Sequence, residues 1–303
     1  MLDLIRMKPQ ELRVLPRDKT WFFLSIGTVE DHGPHLPLGM DLLEGDAVLR
    51  ALLQRLKESD PQIEGVQLPT FPLSIESVNS SLALHLRPHV VRDYLVDVVD
   101  SLYKEGFRYF AVYSGTFGPR QLTAVEEAGK FLRRKHRRFF SRKKTPILVS
   151  LASIGIDKAS ESRSLIGLDP PEHGGSRDTG FALRFFPKEV GPLYAELGIR
   201  PERNFFEQLV GRSGNASTRF WGSPEKADPE STERHLQEKI TVWIPKLLAT
   251  MQGVNGQILF RSKFSWLPSN HSLFRVYILG AALLLLFLGW IYFIVQTLVS
   301  GSL

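Results

Sequence analysis

One apolar segment near the C-terminus constrains this 303-residue chain more than any other feature. Residues 276–299 (VYILGAALLLLFLGWIYFIVQTLV) form a run of 24 without a single Asp, Glu, Lys or Arg. At about 1.5 Å of rise per residue, a helix of this length spans roughly 36 Å and can cross a hydrocarbon core about 30 Å thick. Core helices of soluble domains usually carry a polar face. We therefore expect a transmembrane helix at residues 275–299.

The charged residues on either side of this segment predict its orientation. Arg261, Lys263 and Arg275 precede it, whereas residues 300–303 carry no basic side chain. Because basic residues stay on the cytoplasmic side, the large N-terminal part is expected in the cytoplasm. Residues 2–15 are interrupted by charged side chains and do not resemble the apolar region of a secretory signal. The sequence thus predicts a single-pass membrane protein with a cytoplasmic domain.

Composition narrows the classes of function. The chain has no cysteine, so any metal must be held by His, Asp or Glu. The net charge is +6, but the basic run Arg133–Lys144 (RRKHRRFFSRKK) holds eight Lys and Arg, and the remaining 30 basic residues face 32 acidic ones. The positive charge is therefore local, which disfavours nucleic-acid binding. The basic run is either a solvated helix end or a contact with anionic lipids.

The rest of the sequence alternates between two kinds of pattern. Short β-branched or aromatic runs predict buried strands at residues 21–27, 109–113 and 147–151. Longer amphipathic patterns predict helices at residues 42–56, 88–105 and 240–251. This alternation is typical of an α/β fold with a largely parallel sheet covered on both faces. We expect a domain over residues 1–251, a linker over residues 252–274 and then the membrane anchor.

The loop after the first predicted strand carries the residues most suited to chemistry. In such sheets ligands bind beyond the carboxyl ends of the strands, and residues 27–41 (GTVEDHGPHLPLGMD) follow there. Glu30 and His32 are two apart, so extended backbone places them on the same side. Asp41 can approach them from the start of the next helix. Carboxylates with an imidazole suit Zn²⁺ or Mn²⁺, although an ordinary polar loop has the same composition.

Residues 27–41 resemble the signature of the creatininase (creatinine amidohydrolase) family, G-x-x-E-x-H-G-x-H-L-P-x-x-x-D. Every fixed position of that pattern is present. Residues 172–179 (EHGGSRDT) resemble the H-A-G-x-x-E-T stretch of the family, and residues 221–227 (WGSPEKA) resemble its G-x-P-x-x-A turn. With a looser likeness at residues 86–108, the resemblance covers roughly residues 8 to 250.

The resemblance implies a three-layer αβα fold, a homo-oligomer that is often a hexamer, and two divalent metals. In the family these metals serve attack on a C–N amide bond of a compact substrate. Carried over to matching positions, Glu30, His32 and Asp41 become metal ligands, with Asp41 bridging. Asp178 stands where many members have a ligating Glu. His173 becomes the acid–base residue that passes a proton to the leaving nitrogen.

The sequence also departs from the family pattern. Thr116 stands where the family has a ligating His, and a hydroxyl is a poor Zn²⁺ ligand. The F-P-G-T stretch of the family is replaced by residues 80–83 (SSLA). One of the two implied sites thus loses a ligand of three, while the other keeps His32, Asp41 and Asp178. A second metal would need a substitute ligand such as His85 or His89.

We therefore expect one firmly held Zn²⁺ or Mn²⁺, or two, in a metal-dependent amidohydrolase at the cytoplasmic membrane face. Its substrate is expected to be a small non-peptide amide. Glu30 is a second candidate catalytic group, because a Glu30 side chain that does not bind the metal can act as a base. His35 is expected to shape the loop by hydrogen bonding. The alternative is a catalytically degenerate, membrane-tethered scaffold or binding protein, which the Thr116 replacement favours.

Overall fold

A computed structural model describes residues 2–75, 82–116, 118–137, 144–151, 172–198, 220–262, 265–266 and 271–300. Ser80 and Ser81, residues 138–143 of the basic run and parts of the predicted linker lie outside the described residues.

The described strands form one five-stranded sheet in which every neighbouring pair is parallel. The strands are β1 (Leu2–Asp3), β2 (Thr20–Ile26), β3 (Glu64–Gln67), β4 (Tyr109–Ser114) and β5 (Ile147–Ser150). Their order is β1-β3-β2-β4-β5. The three strands predicted from sequence correspond to β2, β4 and β5, with ends that differ by one residue. The parallel sheet of the prediction is confirmed.

Eight α-helices lie within the described ranges. They are α1 (Pro9–Val14), α2 (Met40–Ser59), α3 (Pro88–Lys104), α4 (Pro119–His136), α5 (Ser176–Phe185), α6 (Pro229–Met251), α7 (Gly256–Leu259) and α8 (His271–Ser300). Short 3₁₀ turns occupy Leu4–Arg6, Pro187–Glu189, Pro192–Glu196 and Pro224–Lys226. Pro88 and Pro229 begin their helices at positions where a missing N–H costs nothing.

Helices cover both faces of the sheet. All seven residues of β2 are buried, which explains its continuous apolar sequence. Trp21 and Phe23 point to a core that includes residues of α2, α5 and α6. Phe22 and Leu24 point to a second core that includes residues of α3 and α4. The alternation of side chains along the strand thus separates two helical layers, as the three-layer prediction requires.

The segment after α6 begins by packing on the domain. Phe260, in the predicted linker, is only 2% exposed and belongs to the core beneath α2 and α6. Further along, α8 contains a stretch, Ile278–Thr297, that is long and apolar enough to cross a membrane. None of that stretch is buried within the structure. It therefore lacks the packing of a soluble core helix.

Candidate metal centre

Three buried ligand-type side chains meet at the carboxyl end of β2. Glu30 and His32 lie in the extended loop that follows this strand, and His173 comes from the segment that precedes α5. Each contributes one ligand atom, and these atoms all lie within 4.8 Å of one another. The prediction that Glu30 and His32 project to the same side is therefore confirmed. His173, more than a hundred residues away in sequence, joins them as the family resemblance implies.

Asp41 approaches this group from the first turn of α2. Its Oδ1 lies 3.3 Å from Nε2 of His32, and its Oδ2 accepts a 2.8 Å hydrogen bond from the hydroxyl of Thr116. Two ligands held at about 2.1 Å by one tetrahedral ion lie roughly 3.4 Å apart. The His32–Asp41 pair therefore has the spacing of two ligands that share an ion.

Two glycines allow the strand ends to approach Asp41 this closely. A Cβ at Gly27, after β2, would lie 2.9 Å from the Cβ of Asp41. A Cβ at Gly115, after β4, would lie 2.6 Å from the backbone oxygen of Asp41. Any larger residue at either position would push α2 away from the sheet and move the carboxylate with it.

Backbone carbonyls fix the orientation of both histidines. Nδ1 of His32 donates to the carbonyl of Glu30 at 3.1 Å, and Nε2 of His173 donates to the carbonyl of Asp31 at 2.8 Å. A carbonyl oxygen only accepts, so these nitrogens carry hydrogens. In the neutral rings the lone pairs are left on Nε2 of His32 and Nδ1 of His173. Ligating histidines are oriented by this kind of hydrogen bond.

The pKa values of the two imidazoles are shifted in opposite directions. Burial by itself lowers the pKa of His32, but the hydrogen bond and charge of Asp41, with the charges of Asp178 and Glu30, raise it to about 9. Burial and the neighbouring charge of His32 lower the pKa of His173 to about 4. The rings stack with centroids 4.2 Å apart. Without a metal, therefore, His32 holds the proton and His173 stays neutral.

Asp178 lies in the first turn of α5 and is engaged by two partners. Its Oδ2 accepts a 2.8 Å hydrogen bond from the N–H of Gly174, and its Oδ1 accepts bonds of 3.0 and 3.2 Å from Arg177. Burial favours the neutral acid, but the charge of Arg177 lowers the pKa of Asp178. Asp178 is not among the described residues whose ligand atoms meet within 4.8 Å. Oδ2 accepts only one of these bonds and keeps a second acceptor site, so ligation by Asp178 stays a prediction.

The structure adds residues that sequence reasoning missed. The ring of Trp221 stacks on His173 with centroids 4.8 Å apart, and the backbones of these two residues exchange hydrogen bonds of 3.1 and 2.9 Å. Tyr113 donates a 2.6 Å hydrogen bond to buried Glu44, one helical turn beyond Asp41. The only sequence signal for Trp221 was its place in the G-x-P-x-x-A-like turn.

Comparison with known proteins decides the family. The model of the family described as "Creatininase: Creatinine amidohydrolase" matches residues 6–246. The chain belongs to the creatininase family. The resemblance at residues 27–41 is thereby confirmed. No curated protein matches the chain significantly.

Several solved creatininase structures share the fold. A putative creatinine amidohydrolase from Bacteroides fragilis is 18% identical, with a TM-score of 0.62, and the match covers 83% of this chain and 96% of that one. A structure described as "Creatininase Mn" is 16% identical, with a TM-score of 0.60 and coverage of 82% and 98%. A mutant creatininase of the Zn-Zn type is 15% identical, with a TM-score of 0.63 and the same coverage. At these identities the likeness shows the fold alone.

His35, a fixed position of the creatininase signature, has a structural contact outside the ligand group. His35 is buried and lies 2.9 Å, through Nε2, from the hydroxyl of Thr179, so it connects the loop to α5. It is not in the group of ligand atoms. The expectation that His35 shapes the loop by hydrogen bonding agrees with this contact.

The donor set fits a divalent ion. Glu30 and His32 place ligand atoms within 4.8 Å of each other, Asp41 lies 3.3 Å from His32, and all three residues are buried. The two buried carboxylates, Glu30 and Asp41, would balance the charge of such an ion. In this chain the hydroxyl of Thr116 is hydrogen-bonded to Oδ2 of Asp41, whereas Oδ1 is the oxygen nearest Nε2 of His32.

Proposed function

We propose that this chain is a metal-dependent amidohydrolase that cleaves a C–N amide bond in a small non-peptide substrate. The observation that carries the proposal is the buried cluster of Glu30, His32 and His173, whose ligand atoms all lie within 4.8 Å of one another. Membership of the creatininase family supports a metal-dependent amidohydrolase in general terms.

We propose Zn²⁺ or Mn²⁺ as the cofactor, since the titles of two structural neighbours name these metals. Glu30, His32 and Asp41 would hold the ion, and Asp178 is the proposed further ligand. Because Thr116 offers a hydroxyl where an imidazole would bind a second ion, we infer one ion per chain rather than two. The bound ion would supply Lewis acidity, which polarises an amide carbonyl and makes water nucleophilic near neutral pH.

His173 is proposed as the acid–base residue rather than a second imidazole ligand. Two imidazoles on one tetrahedral ion would hold their ring centroids roughly 5 Å apart, whereas those of His32 and His173 are 4.2 Å apart and nearly parallel. Nδ1 of His173 can accept a proton because Nε2 is held by Asp31. A pKa near 4 makes the protonated ring a good donor to a departing nitrogen. Glu30 is the other candidate base, in a site where Asp178 replaces it as a ligand.

Metal content and amide hydrolysis test this function together. The purified full chain should retain about one equivalent of Zn²⁺ or Mn²⁺ after dialysis. In a screen of small cyclic amides it should hydrolyse at least one to the ring-opened carboxylate, and chelation should abolish this activity. Added Zn²⁺ or Mn²⁺ should restore it. A chain that retains no metal and gains nothing from added metal would contradict the proposal.

A second candidate function rests on Thr116. Its hydroxyl bonds to Asp41 where the family has a ligating imidazole. If the remaining ligands are too few to hold any ion, the chain is a catalytically degenerate scaffold or binding protein. Metal-free protein that is folded and inactive would favour this alternative.

We also propose a membrane location. Residues 1–251 would form the catalytic domain, 252–274 a connecting segment and 275–299 a single membrane anchor. The basic residues before the anchor favour a cytoplasmic domain. A homo-oligomer and contact of residues 133–144 with anionic lipids are further parts of the proposal.

A further inference from the structure

A cleft lies beside the edge strand β5, away from the metal centre. It is bounded by α4, β5 and the segment around α7, and its volume is about 390 Å³. None of the residues that line it belongs to the candidate metal site. Small-molecule sites usually have volumes of roughly 300–1,000 Å³, so the cavity is large enough for a small ligand.

The lining of this cleft is strongly cationic. Lys130, Arg133 and Arg261 contribute three positive charges, and Glu126 contributes the single carboxylate among the lining residues. Oε1 of Glu126 already accepts a 2.7 Å hydrogen bond from the N–H of Ser262. The guanidinium of Arg133 makes no hydrogen bond or ion pair with another described residue. The cleft therefore favours an anion and offers it an unengaged guanidinium.

Further donors remain in the cleft. Lys130 donates to the backbone oxygen of Ser265 at 2.6 Å, and Nε of Arg261 donates to the hydroxyl of the same residue at 2.5 Å. An ammonium has three N–H groups and a guanidinium has five, so both side chains keep donors for a ligand.

One buried hydroxyl in the lining lacks a partner. Ser150, at the end of β5, is only 2% exposed, and its Oγ has no hydrogen-bond partner among the described residues. A buried polar atom without a partner is costly. A ligand in the cleft would remove that cost by bonding to the hydroxyl.

We propose that this cleft binds an organic phosphate, specifically a phosphomonoester dianion. Two guanidinium forks and an ammonium match the charge and the oxygens of such a group. Asn255 and Gln257 add polar groups to the lining, and Ile258 adds apolar surface for the organic part. The ligand is either a soluble phosphomonoester or the headgroup of phosphatidic acid, because both carry the same group.

Matched arginine variants test the site in the full chain. Both Arg133 and Arg134 are exposed, but only Arg133 lines the cleft, so R133Q and R134Q remove the same charge from adjacent positions. Detergent-solubilised protein is titrated calorimetrically with glycerol phosphate. We expect R133Q to weaken binding about tenfold or more and R134Q to change it less than about twofold, since one charged hydrogen-bond partner is lost only in the first.

The Ser150→Ala variant separates binding from folding. Without ligand it should unfold at the same temperature as the wild type or a higher one, because it removes an unpartnered buried hydroxyl. Its affinity for glycerol phosphate should nevertheless fall about fivefold. A loss of affinity without a loss of stability would support a direct contact.

Mixed micelles identify the source of the phosphate group. If phosphatidic acid, but not phosphatidylglycerol, displaces glycerol phosphate from the wild type, the cleft accepts a lipid headgroup. If only the soluble ester binds, the ligand is soluble. Either result supports the phosphomonoester site when R133Q loses binding and R134Q does not. No binding in either arm, or equal losses in the two variants, would overturn the proposal.

Discussion

At the scale of single residues, the stacked histidines invite a test that needs no substrate. Nε2 of His32 faces Asp41 at 3.3 Å, whereas His173 stacks on the face of His32 and is held by the carbonyl of Asp31. H32A should therefore lose its bound metal, with affinity reduced about a hundredfold or more. H173A should keep about one equivalent, because only the proposed proton carrier is removed. Metal analysis after dialysis measures both.

The H35A variant controls for general damage to this loop, since His35 contacts Thr179 instead of the ligand group. It should be less stable but should keep its metal. Equal loss of metal from H173A and H32A would show that His173 is itself a ligand.

Thr116 carries the second prediction at this scale. Its hydroxyl is 2.8 Å from Oδ2 of Asp41, whereas Oδ1 is the oxygen nearest Nε2 of His32. An imidazole at position 116 would therefore face Oδ2. T116H should raise the metal content from about one to about two equivalents per chain. T116V removes the hydroxyl at nearly constant volume and should leave the content at about one. A wild type with two equivalents would refute the inference of a single ion.

Some of these residues could be predicted from sequence and others could not. Glu30 and His32 were identifiable because an i, i+2 pair in extended backbone needs no tertiary information. The bond between Arg177 and Asp178 depends on side-chain rotamers at the start of α5. The stacking of Trp221 on His173 depends on how two distant segments pair. Neither contact has a local sequence signal.

At the scale of elements, a strand or helix could be predicted from sequence where its burial gives a regular apolar pattern. β2 is buried along its whole length and reads as an unbroken apolar run, and α3 shows a regular apolar stripe. β3 has the sequence EGVQ, in which only Val66 is a large apolar residue, so it carries no strand pattern. Its place beside β2 comes from backbone pairing. Short strands of this kind are fixed by tertiary contacts.

One ion-pair cluster joins α3 to α4 and predicts a pH dependence of stability. Asp100, only 4% exposed, accepts bonds from Lys104 and Lys135 at 3.0 Å and from His136 at 2.6 Å. Burial alone would raise the pKa of Asp100, but these partners lower it from 3.8 to about 2. A pKa that is lower in the folded state stabilises the fold above pH 4 and stops doing so as the pH falls toward 2.

D100N should therefore lower the free energy of unfolding by about 1–2 kcal/mol at pH 7, a value reduced by the solvent exposure of both lysines. The difference from wild type should shrink as the pH falls from about 4 to about 2. Urea unfolding at several pH values measures it. D97N, at an exposed position on the same helix, should stay within about 0.5 kcal/mol of wild type. A constant difference at all pH values would contradict the role of the Asp100 charge.

At the scale of the whole molecule, the chain combines a domain with its own core and an apolar helix that the described structure leaves unburied. Contacts with the domain continue beyond residue 251, into the predicted linker. Phe260 belongs to the core, and Lys130 bonds to the backbone of Ser265. A truncated protein should therefore keep its fold if it ends at Trp266 and not if it ends at residue 251.

Truncation at Trp266 allows the membrane proposal to be tested without loss of the site. The full chain should stay with membranes after alkaline carbonate extraction, whereas the protein ending at Trp266 should be soluble and keep its metal. In the full chain, L284R with L285R should also prevent stable insertion, because each Arg at the centre of a span costs about 2.5–3.5 kcal/mol. L284V with L285V is the matched control and should remain in the membrane. Release of the unaltered chain by carbonate would show that α8 contacts the surface or another protein instead of crossing the bilayer.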